Sequence, residues 1–158
     1  MNEAKVACPS CGGSFLVEQF IVDVPHFGEV LITRGECGDC GFKTSDLLPL
    51  SEARYPRKQK LVIESSVLSA RVIRSPFCRI EIPEIGLSVE PVQGEAFITN
   101  VEGLLLRLLD KLKGFEAQGM NVREQIRRIE ETLAGKNRLT LIFEDPRGLS
   151  LIGGAVDE

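Results

Sequence analysis

Two pairs of cysteines, each with Cys-x-x-Cys spacing, constrain the fold of this chain more than any other feature. The two intervening residues let one tight turn direct both sulfur atoms toward a single ion, and tetrahedral Zn²⁺ takes four thiolates in a closed structural site. A glycine follows the second cysteine of each pair, and glycine tolerates the left-handed backbone that such a turn often needs. The spacing therefore predicts one structural zinc ion, bound by Cys8, Cys11, Cys37 and Cys40.

Other chemistries use the same residues. The chain opens with MNEAKVA and shows no apolar secretory segment, so we expect a cytoplasmic, reducing location, where this pattern favours a metal over disulfides. One Cys-x-x-Cys alone could be a redox pair, but two of them favour a zinc ribbon. A rubredoxin-like iron site has the same ligands and stays open as an alternative. A closed four-thiolate site has no position for substrate, so the metal predicts a folded platform rather than a reactive centre.

Composition bounds the class of protein. The 158 residues are 43% hydrophobic and 27% charged, enough for one domain with a real core or for two small domains. No apolar run reaches the ~18 residues of a membrane span, so no membrane partner is expected. The formal net charge of −4 argues against nucleic acid as the partner.

The first 50 residues are predicted to form a zinc-ribbon domain. Residues 1–7 are interpreted as a lead-in, and the β-rich stretches 15–24 and 29–33 predict a hairpin that rises from the cysteines. The metal would supply on the order of 10 kcal/mol of this domain's folding free energy. His26 and Phe27 fall at the turn of the hairpin and are candidate partner-binding residues.

A polar stretch, residues 51–60, is predicted to link this ribbon to a second domain. It contains a proline and a cluster of basic side chains. Arg54, Arg57 and Lys58 are further candidates for a partner surface. Contacts from this cluster to phosphates would fit an alternative function, a nucleic-acid-associated zinc ribbon in transcription or translation.

Residues 61–158 are predicted to form a β domain with a helical hairpin. Short β-rich stretches at 61–67, 70–73, 79–82 and 86–89, punctuated by proline and glycine, are typical of a sandwich or barrel. A Thr99-x-x-Glu102 capping box precedes a leucine-rich helical pattern, and a second helix follows, so the hairpin covers about 99–135. The chain then returns to strand at 139–143 and 149–152.

No catalytic residue is predicted. Cys78 lies in a β stretch and is interpreted as a small buried hydrophobic residue. Glu144 and Asp145 are adjacent in a strand, so they point to opposite faces, and the Asp-Pro-x-Gly string that follows is typical of a turn. His26 is the only histidine, which excludes the two-histidine iron site common in double-stranded β-helix oxygenases.

Several of these segments together resemble the ZPR-type zinc-finger family. Both cysteine turns look like the metal knuckles of that family, and the hairpin turn is similar to its "IPHFREV" segment. The strand at 82–90, the helix start and the Asp-Pro-x-Gly turn are similar to its "IPELDLEI", "TTVEGLL" and "LDDPAGNS" segments. The matching stretches are 8–12, 24–30, 36–42, 82–90, 99–105 and 143–150. Residues 54–58 and 66–75 depart from the family pattern.

The resemblance implies a fold and a function. It implies that the second domain is a double-stranded β-helix, jelly-roll-like, bearing the helical hairpin. It also implies a single-module, archaeal-like member of a family whose eukaryotic members carry the module twice. Those eukaryotic members bind translation elongation factor 1-alpha and assist its folding, and bind cytoplasmic regions of receptor tyrosine kinases. We therefore expect a non-enzymatic protein-interaction or folding factor whose partner is this elongation factor.

Overall fold

A computed structural model describes residues 2–24, 28–50 and 55–158 of the chain. The first part is an antiparallel four-stranded sheet in which each strand pairs with the next along the chain. Its strands are β1 (Asn2–Ala7), β2 (Ser14–Val24), β3 (Gly28–Cys37) and β4 (Lys43–Pro49). We call it the ribbon sheet. The predicted hairpin is confirmed, but residues 2–7 are an edge strand rather than a lead-in. The run NEAKVA carries too weak a β pattern to show this before its partner strand is known.

The second part is the jelly-roll domain. Its strands form a five-stranded sheet of order β12-β5-β10-β7-β8 and a three-stranded sheet of order β11-β6-β9. The strands are β5 (Arg57–Ile63), β6 (Arg71–Arg74), β7 (Arg79–Ile82), β8 (Leu87–Val89), β9 (Phe97–Asn100), β10 (Leu139–Asp145), β11 (Leu151–Ile152) and β12 (Val156–Asp157). A zinc ribbon followed by a jelly roll is the fold that the sequence predicts.

Two helices lie between β9 and β10, as predicted. They are α1 (Val101–Ala117) and α2 (Arg123–Leu133), and they pack against each other. The side chain of Asn100, rather than that of Thr99, accepts the N–H of Gly103 at 2.8 Å. The capping position is therefore one residue later than the sequence motif predicts.

The main core fills the space between the jelly-roll strands and one face of α1. Leu104, Leu105 and Leu108 lie on that helical face and belong to the same buried core as Ile80 and Phe143 of the sheet. Helical periodicity predicts this leucine stripe, because residues three and four apart share a face. All the buried residues of this core therefore come from the jelly roll and its helices, and none from the ribbon sheet.

A smaller apolar cluster joins the two parts. Val30, Ile32 and Leu47 of the ribbon sheet pack against Ile73 and Ala96 of the jelly roll. The backbone adds to this contact, because the N–H of Ser45 donates to Gly94 O at 2.6 Å and the N–H of Ala96 donates to Ser45 O at 2.8 Å. We call this contact the ribbon joint.

The last part of the stretch predicted to be a linker belongs to a strand. Strand β5 begins at Arg57, inside the stretch 51–60, and pairs with β10 and β12. Residues 57–60 are all polar or charged, so the sequence gives no sign of a strand whose partners come from the far end of the chain. The predicted strand at 61–67 ends at Ile63, and Ser65–Val67 forms a short 3-10 turn.

Candidate metal centre

Two turns of nearly identical form hold the cysteines. In the first, the N–H of Gly12 donates to Cys8 O at 2.8 Å; in the second, the N–H of Gly41 donates to Cys37 O at 3.0 Å. Both glycines have positive φ, 75° and 77°, which a side chain would disfavour. The first turn joins β1 to β2 and the second joins β3 to β4, so the ribbon sheet places the two turns at one end.

The four sulfur atoms converge on one point. All four Sγ atoms lie within 4.8 Å of one another, with 3.7 Å between those of Cys8 and Cys40 and 3.6 Å between those of Cys11 and Cys37. Four thiolates at ~2.3 Å around a tetrahedral Zn²⁺ would have sulfur atoms about 3.8 Å apart. The donor set and its spacing therefore fit one zinc ion, as the sequence predicts.

Backbone N–H groups turn toward the sulfur atoms. The N–H of Ser10 lies 3.4 Å from Cys8 Sγ, and that of Gly13 lies 3.3 Å from Cys11 Sγ. The N–H of Cys40 is 3.5 Å from Cys37 Sγ. Such donors stabilise negative charge on sulfur, and they also fix the direction in which each thiolate points.

The thiols differ in acidity before a metal binds. Burial raises the pKa of Cys8, but hydrogen bonds from the backbone of Cys11 and Ser10 and from neighbouring thiols outweigh burial and lower this pKa to about 7. The backbone N–H of Gly13 lowers the pKa of Cys11, but the sulfur atoms of Cys40 and Cys37 raise it to about 12. A bound cation must therefore displace protons that the cluster otherwise retains.

A second set of contacts ties the turns to the sheet. Phe15 and Phe42 pack beside the buried cysteines, with ring centroids 5.9 Å apart. Asp39, in the second turn, accepts the N–H of Ser14 at 3.0 Å, which links it to the chain leaving the first turn. The metal site is thus held by β2 and by both turns.

The predicted partner residues fall into two groups. His26, Phe27 and Arg54 lie outside the described residues. Arg57 and Lys58 pair with the acidic end of the chain: Arg57 Nε lies 2.8 Å from Asp157 and Lys58 Nζ lies 3.6 Å from Glu158. Their role in partner binding stays a prediction, and any partner at these two side chains would compete with those carboxylates.

The residues considered for chemistry have structural roles. Asp145 is buried and accepts hydrogen bonds from the hydroxyls of Ser75, at 2.5 Å, and Ser150, at 2.7 Å, whereas Glu144 is exposed. Cys78 is fully buried, and burial raises the pKa of its thiol to about 12. The sequence predicts this burial of Cys78 and the opposite orientation of the two carboxylates.

Sequence reasoning missed a buried arginine. Arg74 is 2% exposed and donates to the carbonyls of Cys78 and Glu90. It lines a cleft of about 670 Å³ between the ribbon sheet, the jelly roll and α1, together with Arg34 and Arg107. Nothing in a strand pattern distinguishes a buried arginine from an exposed one, so only the packing identifies it.

Within the described residues, no helix combines the length and apolar character needed to cross a membrane.

Comparison with known proteins matches both parts of the chain to one family. The ZPR1 zinc-finger domain matches residues 1–53, and the ZPR1 jelly-roll domain matches residues 66–158.

Relatives match the chain along almost its whole length. It is 40% identical to an uncharacterised ZPR1-like protein of Methanocaldococcus jannaschii, over 99% of this chain and 84% of the relative. It is 38% identical to an uncharacterised ZPR1-like protein of Pyrococcus horikoshii, over 93% of this chain and 71% of the relative. The protein of Schizosaccharomyces pombe named zinc finger chaperone zpr1 is 30% identical, over 92% of this chain but only 34% of the relative. The chain belongs to the ZPR1 zinc-finger family.

Proposed function

We propose that this chain is a non-enzymatic folding factor that uses its zinc-stabilised ribbon to bind another protein. The client that we propose is translation elongation factor 1-alpha, the partner that the family resemblance implies. The name of the fission-yeast relative, a zinc finger chaperone, supports the folding role. The closed set of four thiolates supports the absence of catalysis, because it leaves no coordination position for a substrate.

The observation that carries the proposal is an apolar row on the free face of the ribbon sheet. Ile21, Leu31 and Leu48 are aligned in register across β2, β3 and β4. Ile21 is 58% exposed and Leu48 is 54% exposed. We call these three residues the ribbon row.

The opposite face of the same strands is already covered. Alternation along each strand puts Val30, Ile32 and Leu47 on that face, where they form the ribbon joint with the jelly roll. The ribbon row therefore has no role in joining the two parts. Exposed contiguous apolar side chains of this kind mark interaction sites, and a folding factor needs such a surface for the apolar segments of an incompletely folded client.

Binding of purified elongation factor 1-alpha from the source organism tests the proposal. Titration calorimetry should detect a complex with the zinc-loaded chain, and the chain should increase the yield of active factor after dilution from denaturant. Replacing Ile21 and Leu48 together by serine should weaken the complex at least tenfold, because the double variant removes apolar contact area while leaving the zinc turns unchanged.

The matched control is Val62→Ser, since Val62 is 48% exposed but lies on β5 of the jelly roll. This variant should bind as the unmodified chain does. No complex between the zinc-loaded chain and the factor would contradict the proposed client. A complex that survives the double replacement would contradict the ribbon row as the binding surface.

A further inference from the structure

Strand β1 leaves one edge of the ribbon sheet open. It pairs along its whole length with residues 14–19 of β2, and within residues 2–24, 28–50 and 55–158 no strand pairs with its other edge. All six residues of β1 are exposed, so the jelly roll covers neither of its faces. Such an edge presents a row of backbone donors and acceptors that can pair with another strand.

The charges on β1 are arranged for pairing with a copy of itself. Glu3 and Lys5 are two residues apart and lie on one face of the strand. In an antiparallel pair of β1 strands centred on Ala4, Glu3 of each copy would face Lys5 of the other. The same register sets Val6 opposite Asn2, so it brings no like charges together.

The neighbouring strand makes this pairing more favourable. Glu3 faces Glu18 across the β1–β2 ladder, and like charges opposite each other destabilise a sheet. A lysine from a second copy, on the other side of Glu3, would offset this repulsion. Glu18 has a cation on its other side, Arg34 of β3, whereas Glu3, at the open edge, would gain one there only from Lys5 of a second copy.

We propose that the open edge of β1 binds a second copy of this chain, forming an antiparallel two-fold dimer with one continuous eight-stranded sheet. A two-fold interface uses the same surface on both copies. The zinc turns of the two copies would lie at opposite ends of the joined sheet. The ribbon row, on β2, β3 and β4, would stay free. This inference goes beyond the proposed function and does not depend on it.

The contact area sets the strength of the dimer. Two paired six-residue strands bury less than the ~1,200 Å² of a standard stable interface. The dimer should therefore form reversibly in the micromolar-to-millimolar range, and salt should weaken it because its ion pairs are exposed.

Sedimentation velocity on the zinc-loaded chain, with charge-reversed variants, tests the register. The unmodified chain should shift with concentration toward twice its mass of 17.4 kDa. Glu3→Lys would set lysine against lysine, and Lys5→Glu would set glutamate against glutamate, so each variant alone should stay monomeric. An equimolar mixture of the two should form a heterodimer, because every facing pair then has opposite charges.

Glu116→Lys is the control, since it reverses an exposed charge in α1, far along the chain from β1, and it should dimerise as the unmodified chain does. Zinc content and circular dichroism establish that each variant is folded. A chain that remains monomeric at about 1 mM, at the weak limit of such an affinity, would overturn the proposal. So would a dimer whose two charge-reversed variants fail to pair in the mixture.

Discussion

The ring of Phe15 fills the space that a side chain at Gly35 would need. Phe15 is buried against Cys8 and Cys37, and Gly35 lies on the neighbouring strand β3. The absence of a Cβ at Gly35 therefore lets the ring of Phe15 pack directly on β3 beside the cysteines. This packing connects the stability of the sheet to the geometry of the site.

Gly35→Ala should displace the ring of Phe15, and this should disturb both the stability of the ribbon sheet and the geometry of the metal site. Overpacking of this kind costs about 2 kcal/mol, and the shifted Phe15 should also weaken zinc binding. Chemical unfolding of the zinc-loaded protein and competition with a chromophoric chelator measure the two effects. Gly38→Ala is the control, because a Cβ there meets no atom within 4 Å; equal effects of both substitutions would contradict this account of Phe15.

Metal affinity should fall as the pH falls. The cysteines bind as thiolates, so every proton regained by the free site competes with the ion. Below the pKa of Cys8, about 7, the free site holds a proton on Cys8 and also on Cys11, whose pKa is raised to about 12, so log K should fall by at least two per pH unit. Titration of cobalt(II), followed by its thiolate charge-transfer absorption between pH 5.5 and 8, gives the slope. A slope near zero would exclude the four thiols as the ligand set.

Loss of the metal should unfold the ribbon sheet and weaken the jelly roll without unfolding it. The jelly roll has its own core, but Ile73 and Ala96 lose their partners in the ribbon joint. Cys37→Ser should therefore abolish hydrogen-exchange protection in β2 and β3 while leaving β5 and β10 protected, with a lower melting temperature. Cys78→Ser, which removes a thiol outside the site, should retain zinc and ribbon protection. Loss of protection in every strand of Cys37→Ser would mean that the two parts fold only together.

The buried carboxylate of Asp145 should matter more than its exposed neighbour. Asp145→Asn replaces an oxygen that can accept from both Ser75 and Ser150, and leaving a buried donor unpaired costs about 1–3 kcal/mol. Glu144→Gln should change the free energy of unfolding by less than about 0.5 kcal/mol. Urea unfolding of both variants measures the difference, and equal values would contradict the structural role given to Asp145.

The sequence predicts the metal site well because the residues that form each cysteine turn are close together in the chain. Cys8 and Cys11 are brought together by one turn, and the glycine after each cysteine pair meets a local backbone requirement. The leucine stripe of α1 is predictable for the same reason, since helical spacing alone defines the buried face.

Features that depend on partners far along the chain cannot be predicted from local sequence patterns. The edge strand β1 is recognisable only when paired with β2, and residues 57–60 become a strand only beside β10 and β12. The burial of Arg74 depends on Glu90 and Glu95 from another segment. The jelly-roll topology is implied by the resemblance to a known family, since short strands between prolines and glycines do not specify it.

In the proposed function, one zinc ion bound by four thiolates shapes the ribbon that binds another protein. X-ray absorption at the zinc edge, combined with elemental analysis of the purified chain, tests it most directly. The expected result is one zinc per chain with four sulfur neighbours at ~2.3 Å. A chain that purifies with iron in this site, with less than stoichiometric zinc, or with oxygen or nitrogen among the nearest neighbours of the ion would contradict it.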